Sequence, residues 1–88
     1  MNRGDKPVLT HIKVSKDEKY IIACDKNGDI KILSSINFEE LATYSIGSPV
    51  IDIELGDNFF VTAHENGEIQ LFKNQSDQEP FYELERVY

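Results

Sequence analysis

The chain holds one cysteine, Cys24, one methionine and no tryptophan among its 88 residues. A single thiol permits no intrachain disulfide, and Cys24, His11 and His64 lack the paired spacing of a structural zinc site. No hydrophobic run approaches the length needed to cross a bilayer as a helix, and Met1-Asn2-Arg3-Gly4-Asp5-Lys6-Pro7 contains no apolar stretch of a secretory leader. The expectation is a soluble intracellular protein, cytoplasmic or nuclear, with no membrane contact. Basic residues are also scarce, nine against sixteen acids, for a net charge of −7. Residues 1–46 carry seven of each sign, whereas residues 47–88 carry two Lys/Arg against nine Asp/Glu. Phosphate-backbone binding draws on clustered Lys and Arg, so direct nucleic-acid binding through the second half is disfavoured and a basic protein surface is the favoured long-range partner. With neither disulfide nor metal, a chain of this size buries only about 60% of its unfolded surface and has little stability to spare.

What is present is a duplication. Asn27-Gly28-Asp29-Ile30 returns as Asn66-Gly67-Glu68-Ile69, a shift of 39 from position 27 to position 66. The same shift, carried without a gap, sets Ile12-Lys13-Val14 on Ile51-Asp52-Ile53 and Tyr20-Ile21-Ile22 on Phe59-Phe60-Val61. It sets Ile30-Lys31-Ile32-Leu33 on Ile69-Gln70-Leu71-Phe72. A period near forty residues filled with β-branched and aromatic residues points to an all-β protein made of propeller blades.

Turn residues and apolar runs divide each repeat into four strands, near 8–14, 19–24, 29–34 and 40–46, then 49–55, 58–63, 68–73 and 81–87. Residues 1–7 read as a tail, 8–46 as the first blade and 47–88 as the second, each a four-stranded antiparallel sheet. Asn27-Gly28 and Asn66-Gly67, each between apolar runs, predict two-residue hairpin turns with positive φ at both residues. The third strand of each repeat alternates apolar and polar positions. The second does not: Tyr20-Ile21-Ile22-Ala23-Cys24 and Phe59-Phe60-Val61-Thr62-Ala63 are apolar or small on both sides, so each needs cover above and below.

Val14-Ser15-Lys16-Asp17-Glu18-Lys19-Tyr20-Ile21-Ile22-Ala23, followed by Asn27-Gly28-Asp29-Ile30-Lys31-Ile32, resembles the strand, turn, strand, turn, strand run of the WD-repeat propeller proteins. Leu33-Ser34 and Phe72-Lys73 stand where that family often has Trp-Asp, and no Gly-His pair precedes either repeat. The resemblance implies a non-catalytic interaction module or scaffold. It also implies that Asp52, on the innermost strand of the second blade, lies near the central channel or top face, where partners make contact.

Propellers close with roughly four to eight blades, and this sequence supplies two. Two stacked sheets leave an outer face on each, and every large apolar side chain kept wet there forgoes about 1.5–3 kcal/mol. The faces are therefore expected to meet further blades, other chains or copies of this chain. Phe60 on the second strand is a candidate for that contact. Phe81, Tyr82 and Tyr88 are candidates on the last strand, where Phe81-Tyr82-Glu83-Leu84-Glu85-Arg86-Val87-Tyr88 alternates as an outermost strand does and leaves an edge able to recruit another strand. An accessory, non-catalytic subunit of a nucleic-acid-modifying enzyme, such as a tRNA methyltransferase, is the alternative, and a propeller-type hydrolase the more distant one.

Reactive chemistry is hard to build from these residues. Asp25-Lys26-Asn27-Gly28-Asp29 matches the opening of a calcium loop, but Ile30 stands where that loop needs glycine and Ile36 where it needs a bidentate acid, so a hairpin turn with solvated acids is the expectation. His11 suits a strand-end hydrogen bond, and no Ser-His-Asp or Cys-His order is evident. Cys24 has no cationic neighbour and reads as a buried structural cysteine. Arg3-Gly4-Asp5 and Asn74-Gln75-Ser76 match adhesion and glycosylation tripeptides that need an extracellular setting. Neither a cofactor nor a metal is expected.

Overall fold

A computed structural model of the protein describes residues 8–74 and 82–88. It is all-β: β1 (Leu9–Val14), β2 (Tyr20–Asp25), β3 (Asp29–Ser34) and β4 (Glu40–Ser45) form one sheet, and β5 (Val50–Leu55), β6 (Phe59–His64), β7 (Ile69–Asn74) and β8 (Tyr82–Val87) the other. Each sheet is an antiparallel meander in chain order. The tail at 1–7, Phe81 and most of the link before β8 lie outside the described residues.

Strand pairing refines the repeat. β2 pairs with β3, and β6 with β7, in registers related by the 39-residue shift: Ile21↔Leu33 corresponds to Phe60↔Phe72. The first strands do not follow that shift. Ile12 pairs with Ala23, and the residue paired with Thr62, the equivalent of Ala23, is Ile53 rather than Ile51. β1 and β5 are thus offset by 41, because the first β1–β2 turn is two residues longer. In that turn the Ser15 amide donates to Tyr20 O at 2.8 Å and the Ser15 hydroxyl to Asp17 at 2.6 Å, and Glu18 takes φ +65. The second is tighter, closed by the Gly56 amide on Phe59 O at 2.8 Å. A two-residue slip preserves which face each side chain occupies, so the gapless alignment looked sound although it was wrong in β1. Irregularities in register recur as well, between Leu9 and His11 as between Val50 and Asp52, and between Ile32 and Leu33 as between Leu71 and Phe72.

The Asn-Gly turns differ from expectation in one respect. Gly28 and Gly67 have φ of +95 and +92, but neither Asn27 nor Asn66 has positive φ. Each turn is closed by the Gly28 amide on Asp25 O at 3.1 Å or the Gly67 amide on His64 O at 2.9 Å, and only the glycine is left-handed.

The core lies between the sheets. Ile22, Cys24, Ile30 and Ile32 from the first meet Val50, Ile53, Phe60, Phe72 and Tyr82 from the second, with Tyr20, Ala42, Tyr44, Ile46 and Leu55 at its margin. The sheets draw together along β1 and β5. Aliphatic Val50 and Ile53 serve on that side, whereas aromatic rings from β2, β4, β6, β7 and β8 fill the space away from it.

Candidate interaction surfaces

Aromatic rings fill much of the contact between the sheets. Phe60 lies over Phe72 with centroids 4.7 Å apart and planes 12° apart, Tyr44 tilts on Phe72 at 5.1 Å, and Tyr82 meets Phe60 at 5.1 Å and Tyr20 edge-on at 6.0 Å. The Tyr44 hydroxyl donates to the backbone carbonyl of Tyr82, tying β4 to β8. Burial, with Asp17 and Tyr20 nearby, pushes the Tyr82 phenol up to about 12, and burial with Glu83 nearby raises that of Tyr44. Cys24 is enclosed, as its apolar setting suggested, and burial with Asp25 alongside lifts its thiol to about 11.

Polar groups pin the passage from β4 to β5. The Ile46 amide donates to Gly28 O at 3.1 Å, and the Ser48 backbone packs over Gly28. Buried His64 has its Nδ1 2.8 Å from Ser48 O and its Nε2 2.8 Å from the Thr62 hydroxyl. A carbonyl only accepts, so Nδ1 donates to it and Nε2 accepts from Thr62. The Ser48 hydroxyl accepts from the Asn66 amide at 3.1 Å. This histidine ties β6 to the loop between β4 and β5. His11 is a strand residue whose Nδ1 lies 3.1 Å from the Thr10 hydroxyl.

The acids of the first turn are not all solvated. Asp25 is buried, and its Oδ1 accepts the amides of Asn27 at 2.9 Å and Asp29 at 3.0 Å. Its Oδ2 is enclosed with no hydrogen-bond partner among the described residues. The carboxylate is turned back to shape the hairpin, away from any shared cation. Among the described residues no three His, Cys, Asp or Glu side chains come together to hold a metal.

The candidate contact residues fall in different places. Phe60 and Tyr82 are buried against the chain's own first sheet, so the surface they were expected to offer is already occupied. Asp52 is exposed on β5, where its Oδ1 accepts the Ile53 amide at 2.9 Å. Together with Glu54, Val61, Ala63 and Ile69 it borders a depression of about 120 Å³. Tyr88 is exposed beyond β8, beneath the Arg86 guanidinium at 5.7 Å. Phe81 lies outside the described residues.

What sequence reasoning missed is which faces stay open, and equivalent residues show it. Ile12 is 59% exposed, while its counterpart Ile53 is 1% exposed; Ile69 is 43% exposed, while its counterpart Ile30 is fully covered. The second sheet's open face, with Phe59, Val61, Ala63, Ile69 and Leu71, repeats the residues that the first sheet turns inward: half-buried Tyr20 and buried Ile22, Cys24, Ile30 and Ile32. The first sheet's outer face, with exposed Ile12 and Val14, half-buried Ile21 and Leu33 and the enclosed Ala23, repeats the buried Ile53, Phe60, Thr62 and Phe72 and the half-buried Leu55.

A solved structure arranges two sheets the same way. The crystal structure of the Myceliophteria thermophila Cps50 (Swd1) β-propeller domain superposes with a TM-score of 0.76 at 15% identity, over 91% of this chain and 28% of that one. This likeness establishes a propeller-type fold in which the two sheets are neighbouring blades. The chain spans little more than a quarter of that domain. No family model matches the sequence, and no curated protein matches it.

Proposed function

We propose that this chain is a non-catalytic protein-interaction module of the WD-repeat type, whose outer blade faces dock further blades or partner chains. The observation that carries this reading is the contrast between equivalent isoleucines, wet on the outer faces and dry inside. Side chains selected to be covered at one position of a repeat lose burial energy of about 25 cal/mol per Å² when the same position is left open. The strand and turn order supports the WD-repeat comparison, although the buried polar contacts here use Thr62, His64 and Ser48. The acidic second repeat favours a basic protein partner over nucleic acid. No observation on the described residues favours the nucleic-acid-enzyme subunit or the hydrolase, and a cytoplasmic or nuclear setting belongs to the same proposal.

The double variant Ile12→Lys, Ile69→Lys tests the reading, since it charges both open faces and leaves the core intact. It is expected to bind less hydrophobic dye than the parent and to lose association in sedimentation. A double variant identical to its parent in both measurements would show that the faces dock nothing.

A further inference from the structure

The two open faces are the two halves of a contact the chain already makes once. Within the chain, the first blade's inward face meets the second blade's inward face. By the repeat, the second blade's open face corresponds to the former and the first blade's open face to the latter. The correspondence holds at single positions: Ile69 for Ile30, Leu71 for Ile32, Val61 for Ile22 and Phe59 for Tyr20 on one side, Ile12 for Ile53 and Leu33 for Phe72 on the other. Gly28 and Gly67 mark the same vacancy. A Cβ on Gly28 would touch Ser48, in the segment leading into the next blade, while a Cβ on Gly67 would meet nothing within 4 Å.

Resting on the docking reading above, we propose that the occupant of these faces is a second copy of this chain, stacked head to tail. Each face lacks a partner that this chain itself displays, so one contact repeated satisfies both. A face that met its own like would instead set Ile69 and Val61 against themselves, a pairing the chain nowhere makes. Charge follows the same direction. The first repeat is neutral and the second carries the whole net −7, so head-to-tail stacking always places the acidic repeat beside a neutral one. The first blade's open face carries Lys31, and the opposing open face carries Asp52 and Glu54. The contact is heterologous, and such contacts close into rings when the turn per subunit allows. Two blades that span 28% of a propeller domain correspond, by their share of the chain, to a ring of about seven blades. Chains contributing blades in pairs close nearest to that number at six or eight, from three or four copies.

Light scattering on the whole chain should give about 30 or 40 kDa, three or four times its 10.1 kDa. Ile21→Asp blocks the first blade's open face and Val61→Asp the second's, and each variant alone should run as a monomer with its β-sheet circular dichroism retained. An equal mixture should give a species of about 20 kDa that grows no further, since each variant supplies the face the other lacks. Variants that lose β-structure can be replaced by Leu33→Lys and Ile69→Lys for the same mixing test. A wild-type dimer dissociated by only one of the two variants would overturn head-to-tail stacking. So would a wild-type monomer, and dye binding then separates the two proposals: dye bound by the wild type and lost in both variants leaves docking to another chain intact, whereas no dye binding removes both.

Discussion

Gly28 and Gly67 occupy the same turn of successive repeats with nearly the same backbone, φ +95 and +92, yet only the first is covered. A Cβ on Gly28 would stand 2.6 Å from Ser48 N and 2.8 Å from Ser48 O, backbone atoms that cannot rotate aside, whereas one on Gly67 would enter open space. Alanine at either position incurs the left-handed conformation, about 1–2 kcal/mol. Gly28→Ala must also displace the segment between the blades, which by comparison with overpacked cores adds about 1–3 kcal/mol. Losses of about 2–5 kcal/mol for Gly28→Ala and about 1–2 kcal/mol for Gly67→Ala are expected. Their difference isolates the inter-blade contact, because the intrinsic cost of the turn cancels. Urea unfolding, followed by tyrosine fluorescence at dilutions where the chain is monomeric, reports both midpoints, and the denaturant slope should stay unchanged. Equal losses in the two variants would refute the close approach of Ser48 to the first turn, and with it the stacking of the sheets in this register.

Other consequences concern the groups between the blades. Tyr44→Phe removes the hydroxyl that ties β4 to the Tyr82 carbonyl and is expected to cost about 0.5–1.5 kcal/mol in urea unfolding, the net worth of a partly buried hydrogen bond. Thr62→Val leaves buried His64 Nε2 unpaired and should cost more, about 1–3 kcal/mol, while Thr43→Val at an exposed position of β4 should change the midpoint little. Alkali should unfold the protein early: the Cys24 thiol lies at about 11 against 9.0 for a free thiol, and the Tyr82 phenol at about 12 against 10.0. Both raised groups hold their protons more tightly when folded, so their contribution is complete below pH 9 and is lost as pH rises through 11 and 12. Stability measured at rising pH should fall from pH 9 upward, with the first part of the fall absent in Cys24→Ala.

Much of the architecture is legible in the sequence because strand periodicity and Gly-centred turns are local signals. All eight strands begin and end within one residue of the apolar runs that foretold them, and both Asn-Gly hairpins are where expected. The offset of β1 is not legible in the residue pattern, because Ile51 and Ile53 both match Ile12 in character and a change in turn length carries no hydrophobic signature. The open faces were less legible. Apolar residues on both sides of β2 and β6 signal cover above and below, but only the strand registers show that Phe60 faces inward and Val61 outward. Asp25 and His64 occupy equivalent positions and are both buried, with different hydrogen-bonding tasks: one shapes its own turn, the other reaches across to Ser48. That distinction depends on which segment lies beside each turn, which residue spacing alone does not express.

Four single cysteines placed by repeat equivalence probe the open faces most directly. In a Cys24→Ala background, Ile30→Cys and Ile53→Cys should resist thiol labelling until the chain unfolds. Ile69→Cys and Ile12→Cys should label rapidly in dilute monomer and become protected as copies stack at higher concentration. Equal labelling rates within each equivalent pair in the dilute folded chain would contradict a protein built of two adjacent blades with one covered contact and two open halves.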